Sequence, residues 1–162
     1  MSRLQRWDAS GIPLLVARLV LGATFVWLGA LKAGDPVQFL KLLRQYELVS
    51  ESNPMLLNVF AAVVPWLEMW CGLLLLLGVA VRGTAVTVLA LLTTFLVAIA
   101  VRGAALARQG GTPLCAVAFD CGCGSGIENV CSKLLQDCAL WLLAWVALLS
   151  RSRRFCLQRR AR

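Results

Sequence analysis

Residues 84–101 read TAVTVLALLTTFLVAIAV, a stretch without one charged side chain. A membrane-spanning helix needs about 20 consecutive apolar residues, and this stretch with its flanks reaches that length. Because no water inside the hydrocarbon can satisfy exposed backbone groups, a helix is the expected form of such a segment. The stretch therefore predicts a membrane-spanning helix over about residues 84–106.

Three further segments have the same character. Ile12–Leu31 is interrupted only by Arg18, Pro54–Val81 only by Glu68, and Lys133–Ser150 has Asp137 near its start. The chain has 162 residues, 60% of them hydrophobic, whereas soluble domains lie nearer one half. We predict an all-α, integral membrane four-helix bundle over residues 1–150, with spans at about 12–32, 54–81, 84–106 and 133–150.

The connections between these segments differ in character. Asp35-Pro36 opens an amphipathic stretch in the first connection, which predicts a short helix lying along the membrane interface. Arg82-Gly83 indicates a tight turn between the second and third spans. The third connection, residues 108–132, is long, rich in glycine and rich in cysteine. Loops of this length in compact domains are often functional.

Charge predicts the orientation of the bundle. Six arginines lie in the tail at residues 151–162, while the first connection balances acidic and basic residues. The positive-inside rule therefore places both ends in the cytoplasm and the cysteine loop outside, in the periplasm if the membrane is a bacterial inner membrane. The net charge of +8 is then explained by basic residues that contact the anionic lipid of the bilayer. Nucleic-acid binding is disfavoured because only Phe155 interleaves the tail arginines.

Several function classes are excluded by missing residues. The chain contains no histidine, which removes the commonest metal ligand, the commonest general base and the usual catalytic triads. No glycine-rich phosphate-binding motif is present. The loop pattern C-x5-C-x-C-x7-C fits zinc poorly, because zinc sites use C-x2-4-C pairs. We therefore predict no metal site, and a thiolate site for Cu(I) or an iron–sulfur cluster is the alternative.

Four cysteines lie in or beside the loop, at positions 115, 121, 123 and 131. In an oxidising compartment they are expected to form disulfides. A bridge between Cys121 and Cys123 would close a very small, strained ring, which suits exchange, and Cys115 with Cys131 would then be a structural clasp. Two loop-spanning bridges are the alternative, and spacing alone does not choose between them.

The other three cysteines have different expected roles. Cys138 lies two helical turns after Cys131 and could approach the loop, which makes it a further candidate for a structural disulfide. Cys71 lies deep in the second span, where a free cysteine behaves as a small apolar residue. Cys156 lies in the cytoplasmic tail, where it should stay reduced.

Arg18 and Glu68 are the ionisable residues well inside their spans. Each is costly alone in hydrocarbon and should face the bundle interior, so we predict that they pair in an intramembrane polar site. A buried salt bridge that fixes helix register is the simpler interpretation. The functional alternative is a site for a quinone head group or a proton path beside Trp27, Trp66 and Trp70.

These features together resemble the MauE/DoxX-like membrane proteins. The resemblance rests on Arg18, Gly22, Phe25, Gly29, Lys32-x-x-Asp35-Pro36, Phe39, Tyr46, Pro65-x-x-Glu68, Gly72, Leu77-Gly78, Cys121-Gly-Cys123-Gly and Lys133-Leu-Leu-x-Asp137. It implies a four-helix bundle in the inner membrane. MauE members further imply methylamine utilisation, with help in disulfide formation in, or export of, a small methylamine dehydrogenase subunit, and DoxX-like members imply thiosulfate–quinone oxidoreduction.

Our leading hypothesis is a membrane thiol–disulfide oxidoreductase that supports maturation of an exported cysteine-rich partner. Cys121 and Cys123 would exchange with the partner through a mixed disulfide, and quinone is a candidate electron acceptor. One alternative is a non-catalytic, disulfide-stapled subunit of a larger membrane redox complex. The other is a membrane protein that handles metal through thiolates.

Overall fold

The computed structural model describes residues 10–46, 54–120, 126–150 and 156–157. Within these ranges the chain forms the helices α1 (Ile12–Gly34), α2 (Pro36–Gln45), α3 (Pro54–Leu77), α4 (Val81–Gly110) and α5 (Val130–Leu149). Between α4 and α5 lie a 3-10 turn, Leu114–Ala116, and two short strands, β1 (Ala118–Asp120) and β2 (Ile127–Asn129). The predicted tail at 151–162 falls outside the described residues except for 156 and 157.

Four of the helices, α1, α3, α4 and α5, are long and apolar enough to cross a membrane. They contain 20 to 30 residues each, which corresponds to about 30–45 Å at 1.5 Å per residue. The hydrocarbon core of a bilayer is about 30 Å thick. The predicted four-span helical bundle is therefore confirmed, and the small β-hairpin is an addition to it.

The turn between α3 and α4 lies earlier in the chain than predicted. Gly78 (φ +71°) and Ala80 (φ +47°) adopt left-handed conformations, and Val79 N–H donates to Leu74 O across the helix end. A left-handed glycine after the last turn is a common helix stop. The predicted turn at Arg82-Gly83 is thus wrong, because both residues belong to the first turn of α4.

The loop that carries the cysteines is shorter than predicted. α4 continues to Gly110 and α5 already begins at Val130, so residues 111–129 connect them rather than 108–132. β1 and β2 pair antiparallel within this connection, with Asp120 opposite Ile127. We call the end of the bundle where α4 finishes and α5 starts the loop end.

α1 packs most extensively against α3, and α4 against α5. Gly22 and Gly72 let the backbones of α1 and α3 touch, because a Cβ at Gly22 would lie 2.8 Å from Gly72 O, and one at Gly72 would lie 2.7 Å from Gly22 O. Small residues are the usual means of close helix approach in membranes. This contact fixes the register of the two antiparallel helices.

The core lies between these two helix pairs. Its buried members are Leu14, Leu21, Phe25, Cys71, Leu75, Ala85, Val88, Leu89, Leu92, Leu140, Ala144 and Ala147. A smaller cluster around Ile99 and Val130 lies towards the loop end. Tyr46 and Phe119 pack against it and meet edge to face, with ring centroids 6.1 Å apart. The hairpin is thereby packed on the bundle.

Candidate functional site

Cys115 and Cys131 form a disulfide at the loop end, with Cα atoms 5.0 Å apart. Cys115 lies in the 3-10 turn that follows α4, and Cys131 lies in the first turn of α5. The bridge therefore joins the two ends of the loop, as in the clasp that was one of the pairings left open by the sequence. A covalent link of this kind stabilises a fold chiefly by restricting the unfolded chain.

The β-hairpin continues directly from this clasp. Val130 N–H donates to Val117 O at 3.0 Å, next to the paired residues Ala118 and Asn129. In the chain, residues 121–126 connect the two strands. Cys121 and Cys123, the predicted exchange pair, belong to this connection and lie outside the described residues.

Cys138 is exposed and carries a free thiol, so its prediction as a structural disulfide candidate is wrong. Cys138 lies seven positions after Cys131 in α5, which corresponds to about 10 Å along the helix axis. The Cα atoms of bridged cysteines lie less than about 7 Å apart. Since Cys131 is already joined to Cys115, Cys138 has no role in the clasp.

The remaining two described cysteines are also free. Cys71 is buried and belongs to the core of the bundle. Cys156 is half-buried at the opposite end from the loop, where its sulfur accepts a hydrogen bond from Arg18 Nη1 at 3.3 Å. Neither thiol lies near the clasp.

Arg18 does not pair with Glu68, so the predicted ion pair is wrong. Arg18 Nε donates to Leu75 O at 2.8 Å and Arg18 Nη2 to Leu76 O at 3.1 Å. The guanidinium thus covers the carbonyl end of α3, where helical carbonyls lack intrahelical partners. Side chains on a helix lean towards its N-terminus, so the Arg18 side chain extends away from the level of Glu68.

Glu68 pairs with Lys32 instead. Lys32 Nζ lies 2.6 Å from Glu68 Oε1 and 2.8 Å from Oε2, and both residues are at most 5% exposed. Because α1 and α3 are antiparallel, the lean of each side chain towards its own helix start brings the two together. A buried charge requires such a partner.

A second buried ion pair lies within α5. Lys133 Nζ is 3.1 Å from Asp137 Oδ1 and 3.4 Å from Gln136 Oε1. Lys133 and Asp137 are 3% and 4% exposed, and α5 packs against α1, which carries Lys32. We call Lys32, Glu68, Lys133 and Asp137 the four-charge cluster. These two ion pairs were not predicted from the sequence, although the i,i+4 spacing of Lys133 and Asp137 is typical of an ion pair on a helix.

The residues expected around a quinone head group do not form a site. Arg18 and Glu68 are each 2% exposed and contact protein groups at different levels of the bundle. Trp27, Trp66 and Trp70 are 59–66% exposed and hence turned outward. The described residues therefore offer no quinone pocket that joins these five side chains.

Two further features bear on what the loop end can bind. A groove of about 440 Å³ lies beside β1, lined by Gln45, Tyr46, Arg102, Leu106, Ala118 and Phe119. Phe119, which lines this groove, is two residues before Cys121 in the sequence. Within the described ranges no three histidine, cysteine or acidic side chains are grouped as a metal site would need.

Comparison with protein families gives a match that covers most of the chain. The family described as "Methylamine utilisation protein MauE" matches residues 10–150. That range contains all four membrane-spanning helices, the clasp and the four-charge cluster. No curated protein matches the chain, and no solved structure does.

Proposed function

The chain belongs to the MauE family, and from this premise we propose that it exchanges disulfides with an exported, cysteine-rich protein. Family membership associates it with methylamine utilisation, and its four apolar helices make it a multi-pass membrane protein. The exchange activity, the partner and the orientation are our proposals. The exchanging pair is Cys121 and Cys123.

The observation that carries this proposal is the clasp at the base of the hairpin. Cys115 and Cys131 are joined to each other, which leaves Cys121 and Cys123 to form the second pair of the loop. A disulfide with one residue between its cysteines is strained and thus a good oxidant. The loop therefore combines a structural bridge with a second pair suited to exchange.

The proposed reaction balances without a bound cofactor. A thiolate of the partner attacks the Cys121–Cys123 disulfide and forms a mixed disulfide, and a second partner thiolate then displaces the loop sulfur. The partner gains one disulfide and loses two electrons and two protons, while the loop gains two thiols. A disulfide of another protein on the same side of the membrane re-oxidises the loop by the reverse steps.

The charge distribution supports an outward-facing loop. Arg82 lies in the first turn of α4, at the end of the bundle opposite the clasp. α5 ends at that same end, and six arginines follow Ser150 in the sequence. Positive residues near span ends favour the cytoplasmic side. We therefore propose that the loop end faces the periplasm of a bacterial inner membrane, where disulfides persist.

The test uses the full-length protein in detergent and a synthetic peptide with two thiols. Oxidised protein should convert about one peptide dithiol to a disulfide per protein molecule, since one loop disulfide carries two electrons. The variant Cys121→Ser/Cys123→Ser should lose this oxidation, whereas Cys138→Ser, which changes a free exposed thiol, should keep it. Retained oxidation in the double variant would refute the exchange mechanism.

A non-catalytic subunit of a larger membrane redox complex is the second candidate. The observation in its favour is the outward face of α1 and α3, where Trp27, Trp66 and Trp70 are each more than half exposed and could pack against another membrane protein. On this alternative the clasp only holds the loop shut. The same peptide assay on the wild-type protein separates the two, because a stapled subunit would oxidise no peptide.

A further inference from the structure

The groove beside β1 is built from three separate elements of the loop end. The end of α2, the last turns of α4 and β1 line it, through Gln45, Tyr46, Arg102, Leu106, Ala118 and Phe119. Its volume of about 440 Å³ lies within the range of about 300–1,000 Å³ that is usual for binding pockets. The loop end thus carries a recess large enough for a ligand.

This groove follows the edge of β1 that points away from β2. Neighbouring side chains of a strand point to opposite faces of the sheet, so a recess lined by both Ala118 and Phe119 runs along the edge of the strand. None of the described lining residues belongs to β2. Within the described ranges the sheet has two strands, and β1 pairs with β2 alone. One edge of β1 is therefore open to a further strand.

The groove lies where α4 leaves the hydrocarbon. The uncharged residues 84–101 correspond to about 27 Å of helix, close to the hydrocarbon thickness of about 30 Å. Arg102 follows directly, and Leu106 lies one helical turn further on. Open sheet edges do not occur in contact with lipid chains. The groove is therefore at the membrane surface, within reach of a polypeptide outside the bilayer.

The charge of the groove comes from Arg102, which is half-buried. It is the one cation among the described lining residues, and no carboxylate is among them. Arg102 also interacts with another part of the chain, but a guanidinium carries five N–H donors and can serve more than one acceptor. Arginine binds carboxylates through paired hydrogen bonds. The groove is therefore suited to an anionic side chain.

We propose that this groove binds an extended, acidic segment of the exported partner, which adds a strand to the open edge of β1. Main-chain hydrogen bonds to β1 supply affinity, as in other complexes formed by strand addition. Arg102 selects a carboxylate of the segment. A lipid head group would also satisfy Arg102, but only a polypeptide backbone matches the donors and acceptors of a strand edge. That the segment belongs to the exported partner rests on the proposed function.

The test is fluorescence anisotropy with the full-length protein in nanodiscs of phosphatidylcholine, a lipid without net charge. The probe is a labelled peptide without cysteine, in which valine and threonine alternate around one central glutamate. We expect saturable binding to the wild-type protein. Arg102→Gln should raise the Kd at least about tenfold, because it removes hydrogen bonds to a charged group. An unchanged Kd in this variant would overturn the proposal.

Arg108→Gln is the matched control. Arg108 is an exposed arginine of the same helix and does not line the groove. Its loss should change the Kd by less than about threefold, since exposed charges contribute little. Equal losses of affinity in Arg102→Gln and Arg108→Gln would overturn the proposal, because general attraction to positive charge would then explain both.

Two altered peptides are tested on the wild-type protein, so they remain informative if Arg102→Gln fails to fold. One is methylated at alternate backbone nitrogens and cannot donate hydrogen bonds to β1. The other has glutamine in place of the glutamate. Each should bind at least about tenfold more weakly than the original peptide. Undiminished binding of the methylated peptide would refute strand addition, and undiminished binding of the glutamine peptide would refute the role of Arg102.

Other occupants of the groove give different results. Phospholipid that copurifies with the wild-type protein in detergent and is lost from Arg102→Gln would assign the groove to a lipid head group. A Kd that falls when residues 47–53 are replaced by a glycine–serine linker would assign it to this chain itself. Either result overturns the proposal.

Failure of the exchange function is distinguishable from failure of the groove. If exchange alone is wrong, the cysteine-free peptide still binds, and peptide oxidation either is absent or survives Cys121→Ser/Cys123→Ser. If the groove alone is wrong, the wild-type protein still oxidises a dithiol peptide, but Arg102→Gln binds the cysteine-free peptide as tightly as wild type does.

Discussion

The guanidinium of Arg18 occupies the space that any side chain at position 78 would need. Arg18 donates to Leu75 O and Leu76 O in the last turn of α3, and Gly78 follows in a left-handed conformation with φ +71°. A cation at the carbonyl end of a helix is also favoured by the helix dipole. Arg18 and Gly78 therefore act together to end α3.

Gly78→Ala should destabilise the protein by about 1–3 kcal/mol, because it combines backbone strain with displacement of Arg18. Gly83→Ala is the control: nothing lies within 4 Å of a Cβ there, and alanine favours the helix that contains it. Thermal unfolding in detergent measures both variants. Equal melting temperatures for the two would contradict the role assigned to Gly78.

Lys32→Met should lower the free energy of unfolding by more than removal of both charges of the ion pair does. The single change leaves the Glu68 carboxylate buried without its partner, with an expected cost of about 3–5 kcal/mol. Lys32→Met/Glu68→Leu removes both charges and should lie within about 1–2 kcal/mol of wild type. Chemical unfolding of the three proteins in detergent tests the ordering, and a double variant less stable than the single one would contradict it.

Cys115→Ser/Cys131→Ser should loosen the loop without affecting the spans. For cysteines 16 residues apart, loss of the bridge is expected to cost about 3 kcal/mol. The measurement is limited proteolysis, in which cleavage within residues 111–129 should become faster while α1 and α3 stay intact. Cys138→Ser should match wild type, and equal protection in both variants would mean that the clasp adds no local stability.

Labelling in intact cells tests the proposed orientation. After mild reduction, a membrane-impermeant maleimide should reach Cys121 and Cys123, whereas Cys156 should react only after the membrane is permeabilised. Variants that keep one of these cysteines at a time make the assignment direct. Labelling of Cys156 in intact cells, with the loop cysteines protected, would reverse the orientation inferred from the arginines.

The four spans could be predicted from sequence because long uncharged runs have few other stable forms. The same holds for the start of α2, where the Asp35 side chain accepts a hydrogen bond from Gln38 N–H at 2.9 Å, as an N-cap followed by proline predicts. Both signals are local. Each depends on neighbouring residues and on the solvent rather than on tertiary contacts.

The ion-pair partners could not be predicted in this way, because they depend on the register between helices. The contact of Gly22 with Gly72 sets that register, and it places Arg18 beside the end of α3 rather than beside Glu68. The end of α3, at Leu77 rather than near residue 81, could not be predicted for a related reason. Residues 78–81 are apolar enough to continue a helix, but Gly78 and Ala80 adopt left-handed conformations and Arg18 binds the last carbonyls of α3.

The clasp has a consequence for how this chain tolerates change in length. The Cα atoms of Cys115 and Cys131 lie 5.0 Å apart. The chain therefore leaves the bundle and returns to it at nearly the same point. Insertions or deletions between them alter the size of a closed ring and leave the entry point where it was. The length and sequence of the ring can thus change while the membrane-spanning helices stay as they are.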